Sequence, residues 1–353
     1  MSGLSTSRTA RPPVPVIVVA GFLGSGKTTL LNHLLRTAGA TGTRLGVLVN
    51  DFGSVNIDAL LVSAQADGAV SLSNGCMCCT VDADGLADAL TSLVRPSAKI
   101  DAIVIEASGI AEPRSLIRMV TAVTDPRLRY GGLVYVVDAA HIHALREEHP
   151  EVDAHMAIAD LILVNKSDLI TGADLRTVEE IVAQLNPTAA AMVTQEARID
   201  PALLFDIDES AGTDEPRSGQ LTLDELLLEE HDHSGHDHLH AGYEAITFRS
   251  DEPLDPRRLA RFLERPPSGC FRIKGIVHFD RPRYRQKFVV HAVGGFVRVS
   301  RESWARGRVD RTGRDRSRSR AEAVNAELQA AIARPEDAED EHGILGVLRH
   351  VPD

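Results

Sequence analysis

The sequence predicts an α/β fold, a mostly parallel sheet followed by a second, smaller α+β domain. Three observations carry that expectation. Short apolar, β-branched runs alternate with helical patterns over roughly the first 205 residues. Sharp polar motifs stand at the carboxyl ends of those runs, where open α/β sheets bind ligands. From Asp206 the chain turns acidic, then resumes at Tyr243 with strands and one helix but no βαβ alternation.

Length and charge set limits first. A chain of 353 residues with 43% hydrophobic residues can support two packed cores. A net charge of −12 argues against a general nucleic-acid coat. No uninterrupted apolar stretch reaches about 18 residues, so no transmembrane helix and no membrane partner are expected. Arg8 and Arg11 precede an apolar run, but that run ends in a glycine-rich loop and not in a cleavage site. Three of the four cysteines fall within residues 76–79, which is no disulfide framework. A cytoplasmic location is expected.

In chain order, residues 1–13 carry Pro12 and Pro13 and read as a flexible arm. Residues 14–20 form a buried strand that breaks at Gly21, and a helix opens at Lys27. Gly21, Gly26, Lys27 and Thr28 fill the pattern G-x-x-x-x-G-K-[ST] between that strand and helix. Glycines let successive N–H groups face one anion at the positive end of the helix. Residues 24–29, with Gly24, Ser25 and Thr29 completing the loop, would cradle phosphates. Lys27 reaches the β- and γ-phosphates, and the Thr28 hydroxyl can ligate Mg²⁺. The first domain, residues 14–205, is therefore a P-loop nucleoside triphosphatase.

A second strand over residues 45–49 leads to Asn50-Asp51-Phe52-Gly53, where Asp51 could approach Mg²⁺. Residues 60–63 and 69–72 suggest a hairpin that delivers the chain to Cys76-Met77-Cys78-Cys79. Cys76, Cys78 and Cys79 can converge as thiolates on one Zn²⁺, Cu(I) or Co²⁺ ion, leaving a position for an outside ligand. The alternative is a set of buried or redox-active cysteines. A helix over 85–94 precedes the strand 102–105, and then come Glu106 and Gly109. A carboxylate there can hold Mg²⁺ directly or through water, and the glycine N–H can sense a γ-phosphate. Asp138 ends the next strand, 133–137, and without a partner motif reads as structural.

Strand 161–164 runs into Asn165-Lys166-Ser167-Asp168. Asp168 can accept from guanine N1–H and the exocyclic amine, Asn165 can donate to the acceptor edge, and Lys166 can cover the base. GTP is thus favoured over ATP. The acidic linker 206–241, with Arg217 its single cation, carries His231, His233, His236, His238 and His240. These imidazoles suit weak, fast-exchanging metal capture, the alternative being a solvated polar linker. His33, His278, His291 and Cys270 read as structural. In the C-terminal domain, residues 242–353, a helix over 255–264 is followed by strand-like runs 271–279 and 287–300. The Arg-rich run 301–320, interrupted by Glu302, Asp310 and Asp315, reads as solvated, followed by a helix over 321–333 and a poorly patterned tail.

Together these motifs resemble the CobW-like family of metal-chaperone GTPases, relatives of the urease- and hydrogenase-maturation GTPases. The likeness rests on Gly21 through Asn32, the Cys-x-Cys-Cys loop, Glu106-x-x-Gly109 with Ala111-Glu112-Pro113, and Asn165-Lys166-x-Asp168. It extends to the His-rich linker, Phe271-Arg272-Ile273-Lys274-Gly275 and Trp304. Two departures stand out. Such proteins usually read Asn-Glu-Phe-Gly-Glu after the second strand, whereas here Asp51 keeps one carboxylate and Ser54 replaces the other. Arg-rich sequence also follows Trp304 where the family has an apolar strand. The resemblance implies a GTPase that binds a transition metal at Cys76, Cys78 and Cys79. Zinc, the commonest ion on such thiolates, is the first choice and cobalt the next. With no obvious catalytic Gln or Arg finger in the sequence, slow intrinsic turnover is expected. The resemblance also implies delivery to a client metalloprotein under nucleotide control, and it is compatible with a nucleotide-dependent dimer. The competing class is a non-enzymatic zinc or cobalt buffer stabilised by nucleotide.

Overall fold

The computed structural model describes residues 12–40, 42–49, 61–62, 70–71, 83–95, 97–109, 112–205 and most of 246–302 and 320–351. The alternating pattern folds as expected into one large sheet. Its strands are β1 (Val14–Gly21), β2 (Leu45–Val49), β3 (Leu61–Val62), β4 (Val70–Ser71), β5 (Ala102–Glu106), β6 (Leu128–Asp138), β7 (Leu161–Asn165) and β8 (Ala190–Val193). Their order is β4-β3-β2-β5-β1-β6-β7-β8. Strands β2, β5, β1, β6, β7 and β8 are parallel, and β3 and β4 extend the β2 edge as an antiparallel hairpin.

Helices cover both faces because both faces are apolar. Along β1, Val14, Val16, Val18 and Ala20 pack to one side, while Ile17 and Val19 pack to the other. The first side meets α2 (Ala83–Leu93), α3 (Pro113–Ala122), α4 (Ile142–Glu148), α5 (Glu151–Met156) and α6 (Gly172–Leu185). The second meets α1 (Lys27–Ala40) through Leu30, Leu31, Leu34 and Ala38, together with Ala197, Ile199, Leu204 and Phe205. Glu112 starts α3 by accepting from the Arg114 N–H, with Pro113 behind it, and Thr171 starts α6 by accepting from the Asp174 N–H.

After residue 245 comes a smaller unit: α7 (Pro256–Glu264), β9 (Arg272–Val277), β10 (Lys287–Val293), β11 (Phe296–Glu302), α8 (Arg320–Ala330) and α9 (Leu345–Leu348). The strands form an antiparallel sheet ordered β11-β10-β9. Asp255 caps α7 by accepting from the Arg258 N–H. The run 287–300 is thus two antiparallel strands and not one, with Val293 paired to Phe296. The tail is also more ordered than its pattern suggests, since Ile344 and Val347 close the core formed by Leu259, Phe262, Phe279 and Phe288.

The small sheet is seated on the large one. Phe271 and Val293 enter the core beneath β6, and Arg298 donates to the carbonyls of Leu128 at 2.6 Å and Pro126 at 3.2 Å. Between Val16 and Ile17 the β1–β6 register slips by one residue, so β6 bulges at Gly131 and Gly132. A side chain on Gly132 would meet Val293 Cγ1 at 2.7 Å, and its φ of 112° is a conformation glycine tolerates. Among the described residues no helix is long and apolar enough to cross a membrane.

Candidate nucleotide site

The site lies where β1, β5, β6 and β7 end. Register sets Val19 beside Glu106, Gly21 beside Val136 and Asp138 beside Asn165, so the motifs share one edge of the sheet. After Gly21 the chain turns through a loop closed by the Ser25 N–H donating to the Phe22 carbonyl at 3.2 Å. It enters α1 at Lys27, with Gly24 and Gly26 at positive φ. At Gly26 an added Cβ would run into Asn165 Nδ2, so a bare backbone is required there. Lys27 is 7% exposed, and its Nζ donates to the Phe22 carbonyl at 3.0 Å, folding the ammonium over the loop. Ser25 Oγ is buried without a hydrogen-bond partner among the described residues and lies against Gly21, where an added Cβ would come within 2.7 Å of it.

The Thr28 hydroxyl donates to Glu106 Oε1 at 2.7 Å, and Glu106 is 7% exposed. The start of α1 and the end of β5 are thereby joined by two oxygen-bearing groups of opposite hydrogen-bonding role. Gly109 makes the second contact between these segments. A Cβ there would lie 2.6 Å from Leu23 Cδ2 and 3.0 Å from the Leu23 backbone nitrogen. The loop after β5 therefore rests directly on the phosphate loop.

Asn165 has a scaffold role that its motif alone does not show. It is 2% exposed, its Nδ2 donates to the Ser25 carbonyl at 2.9 Å, and its Oδ1 accepts from the Ala197 N–H at 2.8 Å. The amide ties the phosphate loop to the turn after β8, where Glu196 and Ala197 have positive φ. Lys166 is left-handed (φ 62°) and its Nζ donates to Asp138 Oδ2 at 2.7 Å. Asp138, expected to be merely structural, thus sets Lys166. It also accepts from the Ala140 N–H and lies 3.0 Å from His141 Nδ1. Burial pushes the Asp138 carboxyl upward, but the bonds from Lys166, His141 and Ala140 prevail and hold it below its ordinary value. Asp168 stands exposed on the short 3₁₀ turn Ser167–Leu169, with its carboxylate presented to solvent.

The turn at residues 195–197 was not legible as part of the site, because its role passes through backbone N–H groups that leave no residue-type signature. His33 is structural as expected, its Nε2 lying 2.7 Å from the Ile199 carbonyl. Cys270 is a half-buried free thiol whose pKa burial raises. Asp51, Cys76, Cys78, Cys79, the histidines 231–240, the arm 1–11, Trp304 and the arginines of 306–318 lie outside the described residues. Among the described residues no group of three or more His, Cys, Asp or Glu could hold a metal ion.

Strand, glycine loop and helix with a buried lysine, a strand-end carboxylate on the loop threonine, and Asn-Lys-x-Asp at a neighbouring strand end define a P-loop GTPase. Residues 15–193 match the family described as CobW/HypB/UreG, nucleotide-binding domain, and residues 243–332 match the cobalamin synthesis protein cobW C-terminal domain. The chain belongs to the CobW family. It is 30% identical over 332 residues to the zinc chaperone CobW of a Sinorhizobium species, covering 83% of this chain and 89% of that protein. It is 32% identical to the zinc chaperone YjiA of Escherichia coli, over 58% of this chain and 66% of that one. The zinc-regulated GTPase metalloprotein activator 1 of Schizosaccharomyces pombe shares 34% identity over 56% of this chain and 49% of its own length.

Proposed function

We propose that this GTPase is a metallochaperone, binding zinc at the thiolates Cys76, Cys78 and Cys79 and yielding it to a client metalloprotein under nucleotide control. The observation that carries this reading is the bond between Thr28 and Glu106. It joins the phosphate loop to the end of β5, and β5 pairs residue for residue with β2, Glu106 lying beside Val49. The chain toward the cysteines leaves β2 beside Glu106, pairs back onto it as β3, adds β4 beside β3, and departs from Ser71 on β4, so β2 and β3 link the end of β5 to the cysteine segment. The CobW-family match over both domains and relatives named zinc chaperones support the same reading.

In this account the loop from Gly21 to Thr29 binds the phosphates, and Lys27 leaves the Phe22 carbonyl for the β- and γ-phosphates. Asp168 accepts from guanine, with Lys166, steadied by Asp138, packed over the base. The Thr28 hydroxyl and Glu106 carboxylate, hard oxygen donors 2.7 Å apart, fit Mg²⁺, with Asp51 a further candidate. That ion would supply neutralisation of the phosphate charge. Gly109, resting on Leu23, reports γ-phosphate occupancy to the loop after β5. Among the described residues no glutamine or arginine stands out as catalytic, so intrinsic hydrolysis is slow until a client or the metal assists it. The histidines 231–240 serve as a low-affinity antenna, and the protein works in the cytoplasm.

Zinc release tests the reading. Zinc-loaded protein is mixed with a zinc-binding dye and either GTP or a non-hydrolysable analogue, with Mg²⁺ present. Release that keeps pace with GTP hydrolysis and is slow with the analogue is the expected result. Equal release rates with both nucleotides would remove nucleotide control from the account.

A further inference from the structure

Arg298, half-buried on β11, joins the small sheet to the turn that follows α3. It donates from Nη1 to the Leu128 carbonyl at 2.6 Å and from Nη2 to the Pro126 carbonyl at 3.2 Å, so one planar fork spans both. The same turn is tied to its own domain by Arg127, whose side chain is held by Asp125 and donates to the Val94 carbonyl just past α2. Beside the turn lies a cavity of about 200 Å³, lined by Val120, Thr121 and Val123 at the end of α3 together with Phe296 and Val297 of β11. A void forfeits the contacts that its lining would otherwise make, so apolar packing between α3 and β11 is incomplete there. Arg298 supplies a polar tie across a junction whose packing is open.

The other end of α3 belongs to the nucleotide site. Glu112 caps the helix three residues after Gly109, accepting from the Arg114 N–H with one carboxylate oxygen and lying 3.6 Å from His155 of α5 with the other. Gly109 rests on Leu23, and Glu106 holds the Thr28 hydroxyl. Between its ends α3 is 10 residues long, about 15 Å, and Leu116 and Val120 set it into the apolar face of the large sheet. A helix of that length moves as one body, so a restraint on its end also restrains its start. We propose that Arg298 is a positioning residue for GTP hydrolysis, acting through α3 to hold the segment from Glu106 to Glu112 against the γ-phosphate. This role rests on the reading of Glu106 and Gly109 as the groups that meet that phosphate. Nucleotide binding comes chiefly from the loop after β1 and the motif after β7. The tie through α3 therefore acts on the chemical step and leaves ground-state affinity alone.

The test measures GTP hydrolysis by the full-length protein with Mg²⁺ over a range of GTP concentrations, together with binding of fluorescent GDP and of a non-hydrolysable GTP analogue. Arg298→Ala should lower kcat about fivefold, with KM and both affinities near native. Arg298→Lys, able to reach one carbonyl at a time, should recover part of the rate. Native GDP affinity in each variant reports an intact fold. Phe296→Ala removes a ring that packs on Tyr130 at the same junction, 4.3 Å between centroids, without touching either carbonyl. Its melting temperature should fall while kcat holds. Glu106→Gln separates two kinds of failure. Lost hydrolysis in Glu106→Gln beside a native kcat in Arg298→Ala makes the Arg298 tie structural only and overturns the positioning role. A native rate in Glu106→Gln overturns the reading of the γ-phosphate site, and the positioning role with it. An equal loss of kcat in Phe296→Ala would also overturn that role, by assigning the effect to loosened seating of the domain.

Discussion

At the scale of single residues, Asn165 shows how a recognition motif can serve the scaffold. Its amide satisfies a buried carbonyl on the phosphate loop and a buried N–H on the turn after β8. Asn165→Ala leaves both unpaired, so unfolding stability should fall by about 2–4 kcal/mol, and GDP and GTP affinities should fall together. Urea denaturation and titration with a fluorescent nucleotide check this, and a loss confined to GTP would contradict it. Gly109→Ala isolates the other contact. The Leu23 side chain is 60% exposed and can swing away, but its backbone nitrogen, 3.0 Å from the new methyl, cannot. Nucleotide affinity should drop with little change in melting temperature, because the clash falls on a loop and not on the core. The motifs made Lys27, Thr28, Glu106 and Asp168 legible in the sequence. The partners of Asn165 and Asp138 were not, since they depend on which strand ends become neighbours.

At the scale of elements, strand β6 carries more than its sequence period suggests. Apolar residues 133–137 marked its inner part, yet the strand begins at Leu128, and its outer part is held by polar contacts. Asp160 Oδ2, just before β7, accepts from the Leu133 N–H and the Tyr130 hydroxyl, both at 2.8 Å. Burial outweighs those two bonds and pushes the Asp160 carboxyl from 3.8 up to about 6. The folded state then binds this proton more tightly than the unfolded state does. The stability it confers is present below about pH 4 and is lost as pH rises through about 6. Asp160→Asn keeps an acceptor oxygen without the charge, so its stability advantage over the native chain should grow from pH 4 to pH 7. Urea midpoints at several pH values measure that difference, and parallel curves would contradict it. The β10–β11 hairpin was missed for another reason: the apolar texture runs through both strands, and Gly294-Gly295 is a small signal inside it. Helix α9, at Leu345–Leu348, is too short to show a period at all.

At the scale of the whole molecule, two ends of one sheet have different work. The carboxyl ends of β1, β5, β6 and β7 gather the nucleotide groups, and the amino ends of β1 and β6 receive the C-terminal domain. Gly132 sits at that second junction. Gly132→Val would drive a branched side chain into Val293 and Phe271 at a φ of 112°. It should lower the melting temperature and loosen the C-terminal domain, while nucleotide affinity, set at the far edge, stays near native. Limited proteolysis of the nucleotide-bound protein reads the loosening, and an unchanged digestion pattern would contradict it. The layered α/β architecture was legible because strand and helix periods differ. The seating of one domain on the other was not, because it depends on a bulge and two buried apolar side chains.

If nucleotide state sets metal affinity, equilibrium competition titration of Zn²⁺ under anaerobic conditions will resolve two affinities. The protein is titrated with Mg²⁺ and a non-hydrolysable GTP analogue, then with GDP, as the native chain and as Cys78→Ala. Affinity should be at least about tenfold higher with the analogue, about 1.4 kcal/mol of coupling, and that difference should vanish in the variant. Equal affinity in the two nucleotide states would contradict nucleotide control and leave a zinc buffer that hydrolyses GTP.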